Sequence, residues 1–156
     1  MKKIGQHTIR GQMTENDSEG ENGRKINLFD GRYDTAYKVT AFYIWGGTYS
    51  NSSNPDVAGK LAVARGTTSS SVNFMDAEDM REIGWAGSNG GLDVTGQMFS
   101  GIVDRENLVV EDLYVYVRGV NDDAPVNYMI ELDKYKVDEW LGTQTVARNY
   151  MLRDED

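Results

Sequence analysis

Val109-Val110-Glu111-Asp112-Leu113-Tyr114-Val115-Tyr116-Val117-Arg118, followed after a polar break by Val126-Asn127-Tyr128-Met129-Ile130-Glu131-Leu132-Asp133-Lys134-Tyr135-Lys136, is the stretch that decides the fold class. Successive side chains on a strand point to opposite faces, so a run that alternates apolar and polar buries one face and wets the other. Val109, Glu111, Leu113, Val115 and Val117 share one face, and Val110, Asp112, Tyr114, Tyr116 and Arg118 the other. β-branched and aromatic residues fill both runs, which favours strand over helix. Between them Gly119-Val120-Asn121-Asp122-Asp123-Ala124-Pro125 breaks the pattern. The expectation is a long hairpin with Leu113, Val115 and Val117 buried, and Met129 or Tyr128 and Ile130 across from them. Asn121-Asp122-Asp123 should lie in solvent at its turn.

Outward from this pair, further strands read clearly. Lys25-Ile26-Asn27-Leu28-Phe29-Asp30 alternates, and Asp30-Gly31 is a turn signal because both residues tolerate positive φ. Tyr37 to Trp45 follows, with Tyr37, Val39, Ala41, Tyr43 and Trp45 expected on one face and Phe42 and Ile44 on the other, as in a central strand covered on both sides. Gly46 to Asp56 is polar loop. Ala58 to Arg65 alternates with Leu61 and Val63 inward, residues 76–81 read as one helical turn capped by Asp76, and Glu82 to Ala86 is a short strand. Leu92 to Ile102 is ambiguous, with Val94, Met98 and Phe99 available to a core. Asp138 is positioned to cap a C-terminal helix of about three turns whose packed face holds Trp140, Leu141, Gln144 and Thr145, extended by Val146, Tyr150 and Met151.

The N-terminal residues 1–24 are weakly patterned and read as an arm, although Gln6 to Met13 has the makings of a first strand. Residues 25–150 form the folded domain and 151–156 a polar tail. Seven or eight strands at uneven intervals, with no alternating βα units, predict an all-β fold. The expected form is an antiparallel β-sandwich, jelly-roll-like, with a short C-terminal helix.

A chain of 156 residues buries roughly 70% of its unfolded surface, enough for a core without covalent staples. It has no cysteine, which suits a protein made in a reducing cytoplasm or one that needs no redox compartment at all. Lys2 and Lys3 are followed by no apolar run of a secretory signal, and no stretch of 18 apolar residues spans a membrane. The net charge is −9, and Asp104 to Asp156 alone holds 13 acidic against 6 basic residues. Such a surface repels phosphate, so neither nucleic acid nor membrane is an expected partner. The charge serves solubility, or docking onto a basic partner.

His7 is the single histidine, so a multi-histidine metal site is excluded, and no nucleophile, orienting acid or oxyanion motif accompanies it. Asp76, Glu78 and Asp79, and separately Asn121, Asp122 and Asp123, are oxygen clusters of the kind calcium uses. Neither has the spaced loop that gathers six to eight ligands, and a cap or a solvated turn explains each as well. Trp45, Trp85, Tyr43 and Tyr49 would suit a sugar-stacking platform, or else the tryptophans end strands inside the core. No catalytic, cofactor or metal residue is therefore assigned, and the chain is read as a non-enzyme without cofactor.

Four pieces carry a resemblance: Leu28-Phe29-Asp30-Gly31 with Ala36-Tyr37-Lys38-Val39; Arg81-Glu82-Ile83-Gly84-Trp85-Ala86; Glu106 to Val115; and Val126 to Leu132. In this order, over roughly residues 25–150, the chain resembles small β-rich structural proteins of marine bacteriophages and related environmental viruses. The resemblance implies a virion component of jelly-roll-like fold, a minor capsid, cement or decoration protein. Its partners would be other virion proteins, the major capsid protein first, and further copies of itself. The competing expectation is a receptor- or carbohydrate-binding β-sandwich module of a phage tail or spike, using Tyr49, Trp45 or Trp85.

Overall fold

A computed structural model describes residues 1–15, 23–47, 56–64, 75–88, 98–119 and 124–152. Eight strands and one helix follow one another: β1 (Lys2–Met13), β2 (Arg24–Asn27), β3 (Thr35–Gly46), β4 (Val57–Ala62), β5 (Glu82–Ser88), β6 (Met98–Val103), β7 (Asp112–Arg118), β8 (Val126–Lys136) and α1 (Glu139–Met151). They form two antiparallel sheets, one ordered β1-β8-β3 and the other β2-β7-β4-β5-β6. The expected antiparallel all-β architecture with one C-terminal helix is what the chain adopts.

The pairing is nested. β1 pairs with β8, β2 with β7 and β4 with β5, while β3 and β6 lie against each other where the two sheets meet. At that meeting point a Cβ on Gly101 would fall 2.0 Å from the Phe42 carbonyl oxygen, so only glycine lets the backbones come this close. One core fills the space between the sheets. Phe42, Ile44, Tyr128, Ile130 and Leu132 come from the three-stranded sheet, and Leu61, Ile83, Leu113, Val115 and Val117 from the five-stranded one. Gly59 leaves room for this interdigitation, because a Cβ there would stand 2.1 Å from Ile44 Cδ1.

The two deciding runs are strands with the expected inner faces, since Leu113, Val115, Val117 and Ile130 are all fully buried. They are not a hairpin. β7 and β8 belong to different sheets, each a central strand already flanked on both sides, β7 by β2 and β4, β8 by β1 and β3. The chain therefore passes from one sheet to the other between these strands, and Leu113, Tyr128 and Ile130 belong to one core. Alternation reveals which face is apolar; it carries no information on which strand supplies the hydrogen bonds. β7 also begins three residues later than the alternation suggests. Val109 instead exchanges backbone hydrogen bonds with Tyr37 at 2.7 and 2.9 Å, and Val109 and Val110 are both buried, in separate clusters. Asn121, Asp122 and Asp123 lie outside the described residues.

Strand β3 corrects a second expectation. Its register against β8 slips between Val39 and Ala41, so Thr40 is an extra residue and the alternation changes phase there. Tyr37 and Val39 before the bulge, and Phe42 and Ile44 after it, all point inward, leaving Tyr43 and Trp45 on the solvent side. The N-terminal segment is a third. Lys2–Met13 is a full strand of the sheet and not a weakly structured arm, so the fold begins well before residue 25.

In α1 Asp138 caps as expected, its side chain accepting the Trp140 N–H at 3.1 Å. The packed face is rotated from the one expected. Gly142 is the buried residue and sits so near the Tyr33 backbone that a Cβ would lie 1.7 Å from its carbonyl oxygen. Leu141, Thr145 and Val146 flank that contact, while Trp140, Gln144, Tyr150 and Met151 face solvent. The closest approach of a helix is set by its smallest residue, and Trp140 lies two residues, about 200° of helical turn, from it. Residues 76–81 are tight turns, not a helical turn: Asp79 N–H bonds the Asp76 carbonyl, Glu82 N–H that of Asp79, and the Asp76 carboxylate accepts the Glu78 N–H. Gly31, at φ 87°, makes the turn expected after Asp30.

Candidate functional site

The outer face of the five-stranded sheet carries a buried charge cluster. On β4 Lys60 stands opposite Trp85 of β5 on one side and Tyr116 of β7 on the other, so three long side chains line up across three strands. Lys60 is fully buried, its Nζ 3.6 Å from Glu82 Oε2 and 5.4 Å from the centre of the Tyr116 ring. Glu82 Oε1 accepts from Trp85 Nε1 at 3.0 Å and from the Asp76 N–H at 3.2 Å, whereas Oε2 has no hydrogen-bond partner and meets Lys60 by charge alone. Beside it Arg81 holds Asp79 by two bonds of 2.8 and 2.9 Å. Burial pushes the Lys60 amine below its ordinary range, and the Glu82 carboxylate partly offsets that. The cluster ties β4, β5 and the 76–82 turns together. Sequence patterning passes it over, although a lone lysine in the apolar run Val57 to Ala64 is a visible sign.

The outer face of the three-stranded sheet is open. Tyr43 and Trp45 are 37% and 40% exposed and point the same way from β3. Across β8 and β1 their row partners are Met129 and Arg10, then Asn127 and Gln12, and the Gln12 side-chain amide donates to Asn127 at 3.0 Å. Here an aromatic strip lies beside amides and a guanidinium. Beyond it β1 forms the margin of the sheet, its far side bonded to no strand among the described residues.

The other residues nominated from sequence fall apart as a group. Trp85 is half-buried with its indole N–H spent on Glu82, so it is no stacking platform; Tyr49 lies outside the described residues. His7 is exposed on β1 and meets the Tyr37 ring edge-on at 5.6 Å. Asp79 gives both oxygens to Arg81, and Asp76 spends its carboxylate within its own turn. Among the described residues no three acidic, histidine or cysteine side chains gather as metal ligands, and no helix is long and apolar enough to cross a membrane. A dimple of about 10 Å³ lined by Val63, Glu111, Asp112, Val146, Asn149 and Tyr150 has room for about one water molecule. Among the described residues the geometry offers exposed surfaces for binding.

No family model, curated protein or solved structure matches the chain.

Proposed function

We propose that the chain is a jelly-roll β-sandwich and a non-enzymatic structural component of a virus particle. Its role is that of a minor capsid, cement or decoration protein that binds the major capsid protein and copies of itself, made in the host cytoplasm and carried in the virion. The observation that carries this reading is the nested strand order. Pairing first with last, second with seventh and fourth with fifth, and laying third against sixth, is the arrangement obtained by rolling one long antiparallel ribbon into two sheets. Double-sheet rolls of this kind recur in viral capsid and lectin domains. Since a fold hosts many functions, the surfaces matter too, and a long β1 margin that pairs with no strand among the described residues, beside an exposed aromatic face, suits repeated contacts in a symmetric shell. The test is mass spectrometry and electron cryomicroscopy of purified particles of the source virus. A stoichiometric, ordered copy number is expected, and particles without the chain overturn the reading.

The exposed Tyr43–Trp45 strip supports a second reading, a carbohydrate- or receptor-binding module of a tail or spike. Aromatic rings offer apolar stacking surface to a sugar, and neighbouring amides offer hydrogen bonds to its hydroxyls. A glycan array probed with the intact chain tests it: hits lost on Trp45→Ala support it, and an array without hits removes it.

A further inference from the structure

We propose that β1 is a docking edge for an extended acidic segment of another protein chain, which adds to the three-stranded sheet as a fourth strand. The proposal deepens the assembly reading, since it names the chemistry of the partner. β1 bonds β8 along its length from Lys2 to Met13, roughly 40 Å at about 3.4 Å per residue. Its other margin meets no strand among the described residues, and near its end the Gln12 carbonyl accepts from Arg24 Nη1 at 2.8 Å. From Gly5 to Met13 the register with β8 is unbroken, so nine residues present a regular row of backbone groups. Natural strand edges are ordinarily kept short, interrupted by proline or a bulge, charged, or covered. This one contains no proline and a single bulge, near Ile4.

What guards it is charge. Residues 1–14 hold Lys2, Lys3 and Arg10 and no carboxylate, in a chain of net charge −9. Lys3 is paired with Asp133 at 2.9 Å, while Lys2 and Arg10 have no carboxylate partner among the described residues. Antiparallel self-pairing of two copies would lay one purely cationic strand beside another, which like charges oppose. An acidic strand meets the reverse situation: backbone hydrogen bonds supply the adhesion, and Lys2 and Arg10 select the sign of the partner. The same cations that exclude a second β1 thus admit an acidic extended segment.

The experiment uses the full chain, isotope-labelled, and a ten-residue probe peptide in which Glu alternates with Val and Thr, with the Lys-for-Glu peptide as control. NMR titration should show saturable shifts along β1, with alternate amides from Gly5 to Met13 newly protected from exchange. The K2E/R10E variant, whose changes lie on exposed side chains, should bind the acidic probe about tenfold more weakly, as two exposed charge pairs allow, and should prefer the Lys peptide. Absence of saturable binding, shifts centred elsewhere, or affinity unchanged by the charge reversal each overturns the proposal. So does concentration-dependent protection of β1 without any peptide, which would make a second copy the occupant. Charge-dependent shifts without amide protection also overturn it, by indicating a polyanion held without strand addition. No particle enters this assay, so its failure leaves the virion reading to the particle measurement.

Discussion

Replacing Lys60 with methionine isolates the buried ion pair. Met keeps most of the apolar stem that packs on Tyr116 and removes the ammonium, leaving the Glu82 carboxylate fully enclosed with donors on Oε1 alone. Two unit charges 3.6 Å apart interact by about 4–5 kcal/mol at an effective dielectric near 20. Breaking one side of a buried pair ordinarily costs about 3–5 kcal/mol, because the survivor stays desolvated without compensation. Against a total stability of about 5–15 kcal/mol this is a large fraction, equivalent to a fall in Tm on the order of 10 °C. The double variant K60M/E82Q should recover most of the loss. Gln retains the oxygen that Trp85 Nε1 and the Asp76 N–H address, and no charge remains to be desolvated. Thermal melts of the three proteins decide the matter. A single variant melting within about 2 °C of the parent, or a double variant as weak as the single, would refute the argument.

Three further outcomes follow from other parts of the molecule. Gly142→Ala raises helix propensity by about 1 kcal/mol, yet its Cβ would meet the Tyr33 carbonyl at 1.7 Å; a net loss of about 1–2 kcal/mol, with faster amide exchange in α1, is expected from overpacking, and a stabilised variant would contradict the close approach. Asp34, bonded by Arg32 and also by Lys136, titrates at about 2 against an ordinary 3.8. The unfolded chain therefore takes up this proton first as pH falls, so the stability it lends is whole above about pH 4 and lost on descending through about 2; a carboxyl NMR midpoint near 3.8 would refute it. Tyr43→Ala and Trp45→Ala should each change unfolding free energy by less than about 1 kcal/mol in urea titrations, since both side chains stand in solvent; a loss above about 2 kcal/mol would mean that the face is packed.

How much of this was legible in the sequence differs by level. Strand positions and inner faces of β7 and β8 follow from period-two alternation, and the Asp30-Gly31 turn and the Asp138 cap from local chemistry. Partnership does not follow, because hydrogen bonding between strands is made by backbone atoms that every residue has. That is why two adjacent alternating runs read as a hairpin when they belong to opposite sheets. Thr40 was invisible for a related reason: an inserted residue leaves composition and β-propensity intact while reversing the sense of everything after it. That single slip parts Tyr43 and Trp45 from Tyr37 and Val39, with which plain alternation groups them, and sets the two aromatics on the open face. The Lys60–Glu82 pair was hidden by distance along the chain, since the two residues meet only once β4 and β5 are neighbours.

The place of β8 has a consequence in time. β8 lies hydrogen-bonded between β1 and β3, so the three-stranded sheet has no centre until residues 126–136 have been synthesised. Until then the emerging chain holds two long strands whose complementary backbone is missing, and the apolar side chains of β3 lack the opposing Tyr128, Ile130 and Leu132. Folding led by such distant pairings closes large loops before any contact rewards them, and is correspondingly slow. A chain stopped before residue 126 would keep β1 and β3 as two unsatisfied strands at once, making unfinished copies the ones most prone to stick to each other.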